Sequence, residues 1–515
     1  MSTARKILGS TASQFVGKIL VGLLSVVVIK LLTGYLTQAQ YGEYNFIYDF
    51  LAVFGIVADL GLYTVAVREM SKDESRISML LGNVLTIRTV VGVLVMGAAT
   101  VVGLLLPIFS PELVGSPVPR GIAIASVTVL LAIINGTLTS VLQVHYKMRE
   151  SAIALIIGKI VSIAYIAYAV LVLFKGDVAH GFYHVVAAGI LGNICMLGYT
   201  WWYTRRLCEI RYRFDWKLIH EVFVKALPYG IALMLSTVYF RLNTILLFQI
   251  KGSEEVAFYS VGMRIVESML IISLYFMNSM LPVLTKAARL EGASPVPNSP
   301  ELTPIIQNAF DFLCVLGFAI VAGGIVLAYP IIAVISDPKY LSRLSEGVYG
   351  SDIGFQILLF ALMFSFINTL FSFVLIAVNK QKKLLWINIG AIIVNLLLNV
   401  VLIPRYGFRG AAMTSVSAEL YILVATYTTS KKYVKYELRL GNFWKIISSA
   451  VVMAGLVWLA RDPTFALMQN KNILVLVPLG ALVYAGMLWV TGVVTRSKIQ
   501  VVFRKEQPEI VNVVE

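Results

Sequence analysis

The chain has 515 residues, of which 59% are hydrophobic and 13% charged, with a net charge of +15 and a mean hydropathy of +0.85. A soluble protein of this length carries roughly a quarter charged residues, so the outer surface must face lipid and the work must be done in or across a bilayer. The basic residues are dispersed among short connections, which argues against a nucleic-acid partner.

A helix needs about 20 apolar residues to cross the hydrocarbon core. In chain order such runs fall at 11–33, 44–66, 82–106, 121–143, 151–174, 182–203, 224–249, 257–281, 307–334, 353–378, 384–403, 411–429, 446–460 and 472–494. The run 446–460 is short, and 224–249 contains Arg241 and Asn243. No alternating ten-residue strands occur, as a membrane β-barrel would need. The expected class is therefore an all-α polytopic membrane protein with about 14 transmembrane helices. The opening MSTARKILGSTASQF lacks a cleavage site and continues into the first span. With the N-terminus placed in the cytoplasm, 26 of the 42 Lys and Arg fall in inside segments and 9 in outside loops. That bias predicts both termini inside and an even number of spans.

The longest connections, 204–223, 282–306 and 335–352, are too short to fold as domains. There is no phosphate-binding loop, HExxH or CxxC motif, so neither an enzyme nor a cofactor nor a metal is expected. His180 and His184 read as an interfacial pair, and Cys195, Cys208 and Cys314 give no disulfide framework. Segment 291–304, EGASPVPNSPELTP, reads as a flexible linker.

AQYGEYNFIYDF (39–50) and EEVAFYSVGMRI (254–265) align on Tyr44 and Tyr259, 215 residues apart. That offset also covers six spans, so the chain reads as two six-helix lobes, 1–220 and 221–440, related by a parallel repeat, with two further spans and a cytoplasmic tail in 441–515. Chance similarity between two helix starts is the competing explanation. Transporters with parallel repeats place substrate between the halves.

Ionisable groups deep in a span are costly and are functional candidates by default. The central set is Lys18, Arg241 and Arg264, set against Asp59 and Glu267, with Arg88 and Lys159 also buried. Arg264 and Glu267, three apart, can pair on one helix face. Arg241 is expected to line a watery cavity. Aromatic residues accompany these charges: Phe15, Tyr44, Phe46, Tyr48, Tyr229, Tyr239, Phe240 and Tyr259. A positive cavity suits an anionic substrate, and Arg binds phosphate oxygens bidentately.

The residues Tyr41-Gly42-Glu43-Tyr44, Asp59-Leu60-Gly61-Leu62 and Arg68-Glu69 resemble the opening signature of Wzx-type polysaccharide flippases, in the multidrug/oligosaccharidyl-lipid/polysaccharide exporter superfamily. Pro404, Gly407, Gly410, Ala411 and Ala412 resemble the family's approach to span twelve, and Asn379 to Lys383 its basic turn. The resemblance covers essentially the whole chain. It implies a transporter that flips a polyprenyl-diphosphate-linked oligosaccharide from the cytoplasmic to the outer leaflet of the cell membrane by alternating access. Lys18, Arg241, Arg264 and Asn243 would then bind substrate. Asp59 and Glu267 would couple H+ or Na+ or pair with the cations; both readings stay open. A glycan polymerase or ligase is the implied protein partner. The alternative is an ion-coupled drug or cation antiporter of the same superfamily, which normally has twelve spans and acidic cavity residues.

Overall fold

The computed structural model describes residues 3–109, 113–289 and 302–494. Most of the 291–304 linker, the basic tail after 494, and the side chains of Phe15 and Tyr229 lie outside the described residues. The elements are α1 (Thr3–Tyr35), α2 (Gln38–Asp59), α3 (Leu62–Met70), α4 (Ile77–Phe109), α5 (Val118–Val144), α6 (Met148–Tyr168), α7 (Val178–Thr204), α8 (Trp216–Lys251), α9 (Ser253–Arg289), α10 (Leu302–Ile335), α11 (Ser351–Ala377), α12 (Gln381–Tyr406), α13 (Phe408–Tyr433), α14 (Gly441–Met468) and α15 (Ile473–Val490).

The protein is a multi-pass membrane protein. Thirteen stretches among the described residues are long and apolar enough to cross a bilayer, α2 and α3 counting as one. The fourteenth span expected from the sequence is α13, which carries Arg409, Glu419, Lys431 and Lys432 and is less apolar. Its 26 residues reach about 39 Å, and it packs along α11 and α12 within the same bundle.

The packing pattern is repeated within the chain. In the first group α5 lies against α4, α2 and α7, and α6 against α1 and α7. In the second, α11 lies against α10, α9 and α13, and α12 against α8 and α13. Each contact has its counterpart six spans later. The two groups meet where α2 crosses α9, with Gly42 so close to the start of α9 that a Cβ there would lie 1.7 Å from the Ser253 carbonyl oxygen. Only glycine permits that approach. The repeat is broken in one place: α8 packs along α2, whereas its counterpart α1 barely touches α9. Helices α14 and α15 attach to the outside of α10, partly through Asn442 donating to Asp311 at 2.6 Å and Tyr484 donating to the Val315 carbonyl at 2.9 Å.

Span two is not one helix. It breaks at Leu60 (φ 42°) and Gly61 (φ 74°), two consecutive left-handed residues, and Leu60 has a Cβ that disfavours this region. Gly230 of α8 sits against the break, where an added Cβ would lie 2.4 Å from the Leu60 carbonyl oxygen.

The face carrying the α1–α2 loop is closed by reciprocal contacts. Lys30 of α1 donates to the Ser336 carbonyl at 2.5 Å and the Ala333 carbonyl at 3.4 Å, at the C-terminal end of α10. Lys339, just past α10, donates to the Leu36 carbonyl at the end of α1 at 2.7 Å. Each lysine thus places a positive charge on the negative end of the other helix.

Candidate functional site

Thr37 and Gln40 form a capping box that starts α2. From there α2 presents Asn45 and Asp49, one turn apart, towards α9. Helix α9 answers with Arg264 and Glu267, and α8 brings in Arg241. Arg241 reaches Glu267 at 2.6 Å and Asp49 at 3.0 Å. Arg264 reaches Asp49 at 2.9 Å and Glu267 at 3.0 Å, and donates twice to the Asn45 amide oxygen at 3.2 Å. Two guanidiniums and two carboxylates close a ring with no net charge. The Asp49 side chain is 5% exposed and the other three about a quarter. Such a group tolerates low dielectric because each charge has two opposite partners; deleting one strands the rest. Asp49 and Arg264 are separated by 215 residues, the offset of the sequence repeat. Equivalent residues of two halves can touch only on the axis relating them, so this pair marks it.

Beside the ring lies a cavity of about 560 Å³, walled by α1, α2, α5, α6, α7 and α9. The corresponding space in the second half, between α8, α9, α11 and α13, has only about 20 Å³, because α8 has closed onto α2. Tyr41, Tyr44 and Tyr48 line one wall of the large cavity, with the Tyr44 and Tyr48 rings 4.9 Å apart. Lys18 and Lys159 face it from α1 and α6. Among the described residues neither takes part in an ion pair. The uncompensated positive charge of the cavity is therefore these two lysines.

The expected site residues are thus divided. Lys18, Arg264 and Glu267 share the cavity wall, and so does Lys159. Arg241, expected to line a watery cavity, is not among the residues lining this one and is held by Asp49 and Glu267. Asn243 is buried in the second half, donating to Ser415 at 2.7 Å and Tyr259 at 3.2 Å and accepting from Asn399 at 2.7 Å. Asp59 does not meet Glu267. It pairs with Arg88 of α4, which also donates to Thr137 at 2.9 Å. Asp49 and Asn45 are the residues sequence reasoning left out of the site, although the 215-residue offset from Arg264 points to Asp49.

His180 and His184 take separate partners, Asp177 at 2.8 Å and Tyr165 at 2.8 Å. Hydrogen bonds from the His180 backbone and ring hold the Asp177 carboxyl below its usual range. Among the described residues no group of three His, Cys, Asp or Glu could hold a metal. Burial pushes the Cys208 thiol up to about 11.

MurJ, a lipid II flippase solved in an inward closed conformation, superposes with a TM-score of 0.68 at 16% identity, over 94% of this chain and 98% of that one. A Pyrococcus furiosus transporter of the MOP superfamily gives 0.58 at 13%, over 83% and 95%. The Vibrio cholerae MATE transporter VcmN gives 0.56 at 13%, over 83% and 96%. At these identities the likeness establishes the fold. No curated protein sequence matches the chain. A family model described as polysaccharide biosynthesis protein matches residues 7–288, more than half the chain. The chain belongs to that polysaccharide biosynthesis family.

Proposed function

We propose that this chain flips a polyprenyl-diphosphate-linked oligosaccharide between leaflets, from the cytoplasmic to the outer side of the cell membrane. The observation that carries the reading is a pair of lysines, without carboxylate partners among the described residues, facing a cavity built mainly by the first half and closed by α9 of the second, in a chain of this family. In low dielectric a diphosphate gains more from each lysine than it would in water. Arg264 adds to the field but is already engaged by acids.

Alternating access fits the asymmetry of the packing. With the termini cytoplasmic, the lysine-capped α1–α2 face is the outer one. Opening it requires α1 and α10 to separate, and closing the other side requires α1 to approach α9 as α8 already approaches α2. The polyprenyl chain stays in lipid, and a glycan polymerase or ligase would take the product outside. Asp59 and Glu267 are both neutralised by arginines, so H+ or Na+ enters the cycle only by displacing one of them.

The test is complementation of cells that lack the chain. Lys18→Ala with Lys159→Ala should abolish surface glycan and accumulate lipid-linked precursor, with the protein still inserted in the membrane. Normal export by this double variant would remove the lysines from the mechanism. Normal glycan in the deletion strain would overturn the flippase reading and favour an antiporter.

A further inference from the structure

Below the large cavity, towards the face on which α1 begins, lies a second chamber of about 330 Å³. This lies within the range of about 300–1,000 Å³ typical of small-molecule sites. The two spaces share Lys18, Leu155 and Met196 as lining residues, so Lys18 stands at their junction. The chemistry changes across it. Among the described residues lining the lower chamber Lys18 is the one charged group; the rest are small, apolar, hydroxyl, amide or aromatic.

Two tyrosines come from opposite halves, Tyr63 from α3 and Tyr275 from α9. Tyr63 is held by donating to the Gln143 amide oxygen at 2.5 Å. Asn135, Thr139 and Ser151 bring an amide and two hydroxyls from α5 and α6. The Asn135 amide oxygen is buried with no hydrogen-bond partner among the described residues. A buried acceptor left unmatched is costly, and a rotation of the Asn135 side chain, which lines the chamber, would bring it to a donor there.

We propose that this lower chamber is a saccharide subsite, holding the lipid-proximal neutral sugar between Tyr63 and Tyr275 while Lys18 and Lys159 hold the diphosphate above it. The proposal rests on the flippase reading. Gly17 meets Ala152, which sets Lys18 level with about residue 153 of α6. Lys159 is six residues higher, about 9 Å at the helical rise, a gap that two flexible lysine side chains can span around one diphosphate. Sugar hydroxyls supply the donor that Asn135 lacks, and ring faces suit the apolar side of a pyranose.

The experiment is equilibrium binding to the full chain in nanodiscs. The probes are undecaprenyl diphosphate and the same lipid bearing glucose, galactose or N-acetylglucosamine. At least one sugar-bearing lipid should bind about tenfold tighter than the bare lipid, as one matched buried hydrogen bond allows. Asn135→Leu and Tyr63→Leu should erase that advantage selectively, and Tyr63→Phe should keep most of it. Equal weakening of bare and sugar-bearing lipids by the chamber variants, persistence of the advantage, or no advantage in the wild type would each overturn the subsite while leaving the flippase reading standing. The assignment of the diphosphate to the lysines fails separately if Lys18→Ala with Lys159→Ala leaves binding of the bare diphosphate unchanged, and the flippase reading fails if neither the bare nor any sugar-bearing lipid binds.

Discussion

At the residue scale, what looks from sequence like a set of exposed cations is mostly a set of satisfied ones. Arg241, Arg264 and Arg88 are each met by a carboxylate, and the pairs join residues on different helices, up to 215 positions apart. Single-sequence reading sees charge and depth but not the helix that packs opposite. Only the i, i+3 pair Arg264–Glu267 was legible, because its geometry is local. Lys18 and Lys159 stand out once the others are paired. Removing Asp49 leaves two guanidiniums sharing the one carboxylate of Glu267, so Asp49→Ala should destabilise by up to about 3–5 kcal/mol, read as a lower melting temperature in detergent. Exchanging only these two charges, Asp49→Arg with Arg264→Asp, should not restore it, because the new arginine would then meet Arg241 and the new aspartate Glu267. An unchanged melting temperature for Asp49→Ala would mean that the ring is not closed in the membrane. Cys208, whose thiol burial pushes up to about 11, stays protonated at pH 8. It should react with maleimide far more slowly than a cysteine introduced at the exposed Tyr212; comparable rates would show that the α7–α8 connection is not packed down.

At the scale of elements, the spans were legible because lipid demands continuous apolar helix, but their ends were not. Helix α8 begins at Trp216, before the apolar run at 224, and α9 continues to Arg289 beyond 281. Charged residues stop a hydropathy window without stopping a helix. The break at Leu60–Gly61 lay inside one apolar run, and only Gly61 hinted at it. Replacing Gly230 with Leu would drive a side chain into the Leu60 backbone, so Gly230→Leu should separate α8 from span two and lower thermal stability. An unaltered melting curve would count against that contact. The lysine caps make a second prediction. Two helix-end charges are together worth about 1–2 kcal/mol, a shift of about 5- to 30-fold between closed and open forms. In a chain whose native cysteines are replaced by alanine, Ser25→Cys faces the cavity. Adding Lys30→Met and Lys339→Met should speed its labelling by an impermeant maleimide from the α1–α2 side by that factor. No change would show that the caps do not hold this face.

At the scale of the whole molecule, the internal repeat was visible in a dozen residues, and the packing carries it through five corresponding helix contacts. The asymmetry was not visible. Nothing in the composition of α1 and α8 says which will lie against the other half, since that depends on packing between helices far apart in the chain. It nonetheless decides where the space is: about 560 Å³ beside α1 and about 20 Å³ beside α8. If the halves rock, the smaller space should not grow as the larger one empties. Helix α8 is tied to α3 and α4 by its first half and to α2 and α12 by its second. Helix α1 is tied mainly to α6 and, through its lysine caps, to α10, so on the alternating-access proposal it is the wall that moves.

The contact between Asp49 and Arg264 also bears on how such a chain could have arisen. In a dimer of two identical halves, the residue on the axis faces its own copy. Two aspartates or two arginines at that spot would repel one another in a medium that screens little. A salt bridge there requires the two copies to differ, which only unequal partners or a fused, duplicated chain permits. The pair is a mark of divergence after duplication: once each half had its own codons, the one position that symmetry forbids from being complementary became free to be so. Neither half, doubled, could rebuild it.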